Sequence, residues 1–275
     1  MKSTALLVAG LCLVASSATA APPATMDPST LGKETFKETF AKLDAGPDAT
    51  AASRPLHRWR TILKGEQTPP STYSRTMSST TWLGDTTDGN GPTRFTIDAK
   101  GLTINATKQG QPFGRSWRSG ILNTKFTFSQ LYGYFEVNAD MPTCEKGTWP
   151  GIWLMPTSGA WPMHGEIDWP EAVGNGHYYW TAHSAASGKG TQVQVATPAD
   201  CTRGFHRYGV LWGPETIAYY LDRKLVGQAP TPADYTLPMY LLIDLNVGGS
   251  WPGWPDHSLT NEKMVVRGVD VWAAR

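Results

Sequence analysis

Residues 165–172 read G-E-I-D-W-P-E-A and place three acidic side chains close together. Side chains alternate between the two faces of a strand, so a strand here puts Glu166 and Asp168 on one face. Strict alternation sends Glu171 to the other face, but one extra residue in a β-bulge returns it. Pro170 fits a bulge, because no ladder hydrogen bond is lost there. The spacing predicts three carboxyl groups in a row on one face.

Carboxyl groups in such a row are costly to bury unless their pKa values are separated to serve a reaction. Two carboxyl groups on either side of a glycosidic bond are what acid/base hydrolysis of sugars requires. Glu166 would attack the anomeric carbon, and Glu171 would protonate the leaving oxygen and then deprotonate water. Asp168 would hydrogen-bond Glu166 and hold up the proton affinity of Glu171. Taken alone, the run fits a solvated acidic strand edge or helical turn equally well.

The elements around this run are short β-type segments separated by turn signals. Long amphipathic helices between them are missing, which disfavours βαβ units and favours an all-β antiparallel sandwich over one domain, about 57–273. The clearest predicted strands are 94–97, 102–105, 132–137, 192–195, 208–212, 217–221, 240–245 and 265–271.

Composition excludes several classes of function. Charged residues make up 17% of the 275 residues, and the net charge is +1. The sequence has no basic stripe for nucleic acid and no polybasic helix for a membrane surface. The 28 Gly, 21 Pro and 12 Trp indicate a turn-rich β protein with flat aromatic surfaces.

The first residues predict export. Lys2, an apolar run over 5–15 and a small-residue end at Ala20 form a signal peptide over 1–20, cleaved after Ala20. We expect a secreted or periplasmic protein without membrane insertion, because the apolar run is too short to span a bilayer. The mature chain keeps Cys144 and Cys201, predicted to form a disulfide, with two free thiols as the alternative.

The segment 21–56 is predicted to be a variable N-terminal extension. Its Ala-, Pro- and Thr-rich parts, 21–29 and 44–56, are typical of a tether and a loop. Between them the apolar residues have roughly helical spacing, but the same stretch fits an edge strand, and both alternatives stay open.

Several ordered segments resemble glycoside hydrolase family 16, in its laminarinase-like endo-β-1,3(4)-glucanase branch, which has the E-x-D-x-x-E form of the acidic run. The similarity covers about 92–273. The matching segments are 119–125, 132–142, 149–153, 206–212 and 242–253. The resemblance implies a β-jelly-roll sandwich whose concave sheet forms an open cleft for a polysaccharide. It also implies a retaining mechanism with Glu166 as nucleophile, Asp168 as assisting residue and Glu171 as acid/base.

The resemblance further implies a set of substrate-binding side chains. Trp149 and Trp153 match aromatics that help line the sugar sites, and His183 matches a histidine beside the catalytic centre. Trp251 could stack a glucosyl ring, since the C–H face of a pyranose packs on an indole; the alternative for each tryptophan is a core position. His206 is expected to be structural.

Departures from the family pattern bear on cofactors and substrate. Asn138 stands where the family commonly has arginine. Arg267 stands where many members have the aspartate of a structural calcium site, and a positive side chain is incompatible with the all-oxygen site calcium needs. We therefore expect no calcium there, no other metal and no cofactor. The Trp169-Pro170 pair within the acidic run leaves substrate preference open.

The sequence therefore predicts a secreted, retaining endo-β-glucanase acting on β-1,3 or mixed β-1,3/1,4 glucan, with a polysaccharide as its partner. We expect a monomer that binds no nucleic acid. One alternative is a bacterial exopolysaccharide depolymerase or transglycosylase on the same fold. The alternative from another class is a lectin-like carbohydrate-binding protein, which would have no need for all three acids.

Overall fold

The computed structural model describes residues 21–46, 57–62, 80–84, 94–108, 115–186, 190–199 and 202–275. These residues form 17 β-strands and one 3-10 helix, Pro28–Thr30. The strands are β1 (Glu34–Glu38), β2 (Ala45–Gly46), β3 (Trp59–Arg60), β4 (Thr81–Gly84), β5 (Phe95–Asp98), β6 (Gly101–Lys108), β7 (Trp117–Asn123), β8 (Gly133–Asp140), β9 (Thr148–Pro156), β10 (Glu166–Ala172), β11 (His177–Ser184), β12 (Gly190–Pro198), β13 (His206–Trp212), β14 (Thr216–Leu221), β15 (Lys224–Pro230), β16 (Met239–Val247) and β17 (Asn261–Trp272).

The strands lie in two sheets. The sheet that carries β10 has the order β12-β11-β10-β9-β16-β7-β3-β2. We call it the β10 sheet. The other, the β8 sheet, has β17 between β6 and β8 and continues through β13 and β14 to β15. Strand β7 joins both sheets, because residues 117–120 pair in the β8 sheet and residues 121–123 pair with β16. Among the described pairings, only β2–β3 and β4–β7 are parallel, so the predicted antiparallel sandwich is confirmed.

The core lies between the sheets and is rich in aromatic rings. Alternation along β10 sends Ile167 and Trp169 into this core, where both are fully buried. Five indoles are among its largest fully buried side chains: Trp59, Trp117, Trp169, Trp180 and Trp212. For these five, burial in the core accounts for the tryptophan, whereas Trp161, Trp251 and Trp254 are exposed.

The N-terminal segment packs on the sandwich. Its undecided stretch is an edge strand, β1, which pairs antiparallel with β17 and buries Phe36 against Trp59, with ring centroids 5.8 Å apart. The stretch 21–29, whose composition is typical of a tether, contacts the sandwich: Thr25 bridges to Lys224, and the Met26 amide donates to the Arg223 carbonyl. Backbone hydrogen bonding to the β14–β15 turn therefore fixes this stretch.

Other predictions fall partly outside the described residues. The signal peptide over 1–20, the loop over 47–56 and Cys201 lie there, so the Cys144–Cys201 pairing stays a prediction. Within the described ranges, no helix is long and apolar enough to cross a membrane.

Candidate active site

Strand β10 contains the predicted bulge. Asp168 and Glu171 are three positions apart, whereas their partners on β11, Thr181 and Tyr179, are two positions apart, and the same shift occurs against β9. The Trp169–Pro170 peptide bond, which is cis, lies within this bulge. The extra residue returns Glu171 to the face of Glu166 and Asp168, as the spacing predicted.

Each acid in this row has a distinct polar neighbour. The indole N–H of Trp161 donates to Glu166 Oε2 at 2.6 Å, and that of Trp149 donates to Glu171 Oε1 at 2.8 Å. The third acid is paired with an imidazole, because His183 Nε2 lies 3.3 Å from Asp168 Oδ2.

The pKa values of all three acids are raised. Burial raises the pKa of Glu166 to about 8, with the charge of Asp168 adding to the effect. Burial also raises the pKa of Glu171 to about 7 and holds that of Asp168 well above its ordinary value. Removing water penalises the charged form of each carboxyl, and like charges on neighbours penalise it further.

The position of the shared proton follows from the hydrogen bonds. The carboxyl groups of Glu166 and Asp168 are close neighbours, and the charge of Asp168 raises the pKa of Glu166, so the pair favours holding one proton. The Trp161 N–H favours the charged form of Glu166, whereas Asp168 is almost fully buried, 2% exposed. Because burial raises the pKa of Asp168 well above its ordinary value, we place the proton on Asp168 and leave Glu166 ionised. This arrangement suits Glu166 as a nucleophile and leaves Glu171 able to exchange a proton near neutral pH.

A tyrosine fixes the start of β10. The Tyr235 hydroxyl lies 2.7 Å from the carbonyl oxygens of both Glu166 and His183, and so ties β10 to β11. Gly165, with φ of +94°, precedes Glu166, and a Cβ there would lie 2.1 Å from the Tyr235 ring. Only glycine allows this close packing, which sets the direction of the Glu166 side chain.

The aromatic residues predicted to bind substrate differ in how far they are exposed to solvent. Trp251 is 41% exposed, with its ring centroid 5.7 Å from that of Trp149 and 5.3 Å from that of Tyr179, and these three rings lie beside Glu171. Trp153 lies beside Asp168 in the sheet but is only 6% exposed, so little of its ring faces solvent.

The predicted histidines also have different environments. His183 lies opposite Glu166 on β11, with its ring centroid 5.7 Å from that of Trp161. His206 lies on β13 in the other sheet, where its Nδ1 is 2.8 Å from Asp222 Oδ2, an arrangement that fits the predicted structural role.

Sequence reasoning missed four residues around this centre: Trp161, Tyr179, Tyr235 and Asp244. Trp161 is 55% exposed and begins a W-P pair in the loop before β10, and this aromatic-proline pair so close to Glu166 was a usable signal. Asp244 is a further buried acid beside the row of three, on a strand that is otherwise apolar apart from Tyr240 and Asn246. A lone acid in the run Y-L-L-I-D-L was the signal for it.

Three side chains of this centre are of types that bind metal ions. One ligand atom each from Glu166, Asp168 and His183 lie within 4.8 Å of one another, which is close enough to hold a cation. Two of these side chains, Asp168 and His183, already contact each other, with His183 Nε2 3.3 Å from Asp168 Oδ2. At the position where calcium was doubted, the Arg267 guanidinium lies over the Phe205 ring, 3.7 Å from its centroid, which does not fit a calcium ligand set.

Comparisons with known proteins agree with this geometry. A family model described as Glycosyl hydrolases family 16 matches residues 78–265. The endo-1,3-1,4-beta-glycanase EglC of Rhizobium meliloti (strain 1021) is 40% identical over 167 residues, covering 56% of this chain and 34% of that protein. ExsH of the same organism, with the same description, is 40% identical over 162 residues, covering 56% of this chain and 34% of that protein. The chain therefore spans about a third of the length of these two relatives.

A solved structure supports the fold. The X-ray structure of the laminarinase from Rhodothermus marinus superimposes with a TM-score of 0.71 at 25% identity, covering 88% of this chain and 98% of that one. The likeness extends over nearly the whole of that protein, and the predicted β-jelly-roll sandwich is confirmed.

Proposed function

Because the chain belongs to glycosyl hydrolase family 16, we propose that it is a retaining endo-β-glucanase that cleaves β-1,3 or mixed β-1,3/1,4 glucan. The observation that carries the proposal is the row of three carboxyl groups on one face of β10, with an N–H donor on each outer member. The names of its relatives, two endo-1,3-1,4-beta-glycanases and a laminarinase, support the substrate class.

In the first step, the ionised Glu166 attacks the anomeric carbon while Glu171 donates its proton to the glycosidic oxygen. The carbon–oxygen bond to the leaving sugar breaks, and a glycosyl ester to Glu166 forms. A protonated Asp168 keeps its proton and donates a hydrogen bond to the ionised Glu166, which stabilises the attacking carboxylate.

In the second step, Glu171, now ionised, removes a proton from water, and the resulting hydroxide attacks the same carbon. The ester bond breaks, Glu166 returns as a carboxylate, and the two inversions retain the configuration. The Trp149 indole N–H stabilises the charge that Glu171 holds between the two steps.

A second candidate substrate is a 1,3-1,4-linked bacterial exopolysaccharide. The relatives EglC and ExsH carry the broader description of glycanase, and they are more similar in sequence than the laminarinase structure. The same two-step chemistry would then act on a backbone containing other sugars.

Three features of the sequence complete the proposal. We infer export to the periplasm or outside the cell from the predicted signal peptide over 1–20, and a disulfide between Cys144 and Cys201 from their occurrence as a pair. We also infer that the fold needs no calcium at Arg267, because the guanidinium already occupies this position over Phe205.

The test measures reducing-end release from laminarin, barley mixed-linkage glucan, lichenan and a purified bacterial exopolysaccharide. Glu166→Gln should lower the rate by about 10³-fold or more, while Glu215→Gln, at an exposed acid, should leave it unchanged. ¹H NMR of the first product should show the β-anomer. Cleavage of the exopolysaccharide alone would move the substrate to the second candidate. Sugar binding without cleavage of any polymer would contradict the enzymatic proposal.

A further inference from the structure

A fourth carboxyl group lies in the β10 sheet outside the row of three. Asp244, on β16, is 1% exposed, and the two-step mechanism gives it no role. An acid buried this deeply is costly unless its charge or its proton is used, so its position relative to the catalytic residues is informative.

A glycine brings Asp244 towards Glu171. In the register of the sheet, Glu171 on β10 lies opposite Gly151 on β9, and Gly151 lies opposite Asp244 on β16. The three positions therefore form one line across three strands, with no side chain on the middle one. A Cβ at Gly151 would lie 3.3 Å from Asp244 Oδ1, so the Asp244 carboxyl leans over the glycine backbone.

Hydrogen bonds hold both carboxyl groups of this line in place. Asp244 Oδ1 accepts from the Trp153 indole N–H at 2.7 Å, and Oδ2 accepts from the Asn246 amide at 2.5 Å. Glu171 accepts from the indole of Trp149, which lies opposite Asn246 in the sheet. The two tryptophans of the W-P-G-I-W segment thus hold one carboxyl group each, on either side of its glycine.

The charges around Asp244 are mostly negative. Burial raises the pKa of Asp244 to about 8, and the charges of Glu171 and Glu166 add to the rise. Asp244 in turn raises the pKa of Asp168. On its other side, the residue opposite Asp244 on β7 is Ile121, which cannot titrate.

Among the described residues, two positive groups act on this part of the sheet: His183 on β11 and Arg60 on β3, whose charge lowers the pKa of Tyr240 on β16. His183 on β11 acts on Glu166 and Glu171, where its charge lowers their pKa values. Since Asp244 and Glu171 titrate in the same range, they lose their protons as a coupled pair rather than one by one.

We propose that Asp244 is a positioning residue for the acid/base Glu171. Its carboxyl group lies across Gly151 from Glu171, so a negative charge on either carboxyl group disfavours a negative charge on the other. Both oxygens of Asp244 accept from N–H donors, which favours its charged form, and that charge in turn favours the protonated form of Glu171, the form that donates to the departing sugar. The inference rests on the proposed function for Glu171, and it adds a residue that the acidic row does not contain.

Asp244→Asn tests the proposal, because it removes the charge and keeps the shape. Asn246 can turn its amide oxygen towards the new amide, so both buried groups keep partners. The alkaline limb of the kcat/KM profile should move to lower pH by about half a unit and become a single-proton limb. The rate at the optimum should stay within about threefold of the wild type, while Glu215→Gln should leave the profile unchanged. An unchanged profile in folded Asp244→Asn would overturn the proposal.

A second measurement does not depend on activity. With ¹³C-labelled glutamate carboxyl groups, the Glu171 resonance is assigned from Glu171→Gln and titrated by NMR in the wild type and in Asp244→Asn. The proposal expects the midpoint of Glu171 to fall by about half a pH unit in the variant. If Asp244→Asn does not fold, Gly151→Ala is titrated instead, because its methyl group pushes the Asp244 carboxyl aside and should lower the midpoint less. An unmoved Glu171 midpoint contradicts the inference alone, whereas an inactive wild type contradicts the proposed function alone.

Discussion

Two acids of this protein are equally buried and have opposite charge preferences. Glu136, on β8, is 1% exposed, and Asp168, on β10, is 2% exposed. Burial opposes the charged form of both, but the pKa of Glu136 is lowered, whereas that of Asp168 is raised well above its ordinary value. The difference lies in their partners. Two guanidinium groups, Arg207 and Arg223, bind Glu136 at 2.8–2.9 Å, whereas Asp168 is paired with one imidazole.

The comparison shows that burial alone does not mark a reactive carboxyl group. At Glu136, attraction to two guanidinium groups stabilises the charged carboxylate by more than the loss of hydration destabilises it. The Glu136 site is therefore an ion-pair cluster that supports the sheet. On the β10 sheet the donors to Glu166, Glu171 and Asp244 are indole and amide N–H groups, which carry no charge and lower the pKa values of these acids less than burial raises them. A buried acid held by neutral donors can gain and lose a proton during a reaction.

The largest expected effect on stability comes from replacing Glu136, because this removes the carboxylate of the ion-pair cluster. Glu136→Gln leaves two arginines without their carboxylate, so the free energy of unfolding at pH 7 should fall by about 3 kcal/mol. The folded-state pKa of Glu136 lies below its ordinary value of 4.5, so its contribution is present above that value and is lost as the pH falls through the folded-state pKa. The difference between variant and wild type should therefore shrink in acid.

Urea denaturation at pH 7 and at pH 3 measures this difference. Glu34→Gln is the matched control, since Glu34 forms an exposed pair with Lys37 and should contribute less than about 1 kcal/mol. Activity of Glu136→Gln below its melting temperature should equal that of the wild type. A large loss of activity at unchanged stability would remove the distinction between the two regions.

Glu171→Gln should change the free energy of unfolding in the opposite direction to Glu136→Gln. The pKa of Glu171 is about 7 in the folded state against an ordinary value of 4.5, so the unfolded chain loses this proton first as the pH rises. The wild type therefore loses stability between about pH 4.5 and 7, and the variant, which has no proton to lose, does not. At pH 8 the variant should be more stable by about 2 kcal/mol, with a negligible difference at pH 4.

Urea denaturation at pH 4, 6 and 8 checks this prediction, with Glu215→Gln as an exposed control. The variant should also lose most of its activity, because the leaving oxygen no longer receives a proton. Equal stability of variant and wild type at pH 8 would mean that Glu171 is ionised in the folded protein without penalty, as Glu136 is.

Local pattern was sufficient to predict the acidic row and most of the strands. Alternation placed Glu166 and Asp168 on one face, and Pro170 indicated the bulge that adds Glu171, because these features depend only on neighbours along one strand. The edge strand β1 stayed undecided, since the spacing of its apolar residues fits two periods and only its pairing with β17 selects between them.

Residues that act through a register between distant strands could not be predicted. Gly151 resembles any loop glycine in sequence, and its role follows from lying between Glu171 and Asp244 on separate strands. Tyr235 reaches the backbone of Glu166 from 69 positions away, and no periodicity within either segment carries that information. The register of β9 against β16 is set by the whole sandwich, so these contacts appear only once the sheet is assembled.

The smallest expected effects come from removing one hydrogen-bond donor at Glu136 and one at Glu166. Tyr134 donates to Glu136 Oε2 at 3.0 Å, and Trp161 donates to Glu166 Oε2 at 2.6 Å. Tyr134→Phe should lower the free energy of unfolding by about 1 kcal/mol without changing kcat, because it removes one of several donors to a buried carboxylate. Trp161→Phe should leave stability within about 0.5 kcal/mol, since the indole is largely exposed, and lower kcat/KM about tenfold.

The reason for this second loss is chemical. The Trp161 N–H favours the ionised form of Glu166, so its removal raises the pKa of the nucleophile and should move the acid limb of the pH profile to higher pH. Stacking lost with the larger ring would raise KM at every pH and leave the acid limb in place, so the profile separates the two causes. If Trp161→Phe lowered stability as much as Tyr134→Phe and left the acid limb unmoved, its donor would be structural. The two regions would then differ only in the basic side chains beside their acids, which are two guanidinium groups at Glu136 and one imidazole at Asp168.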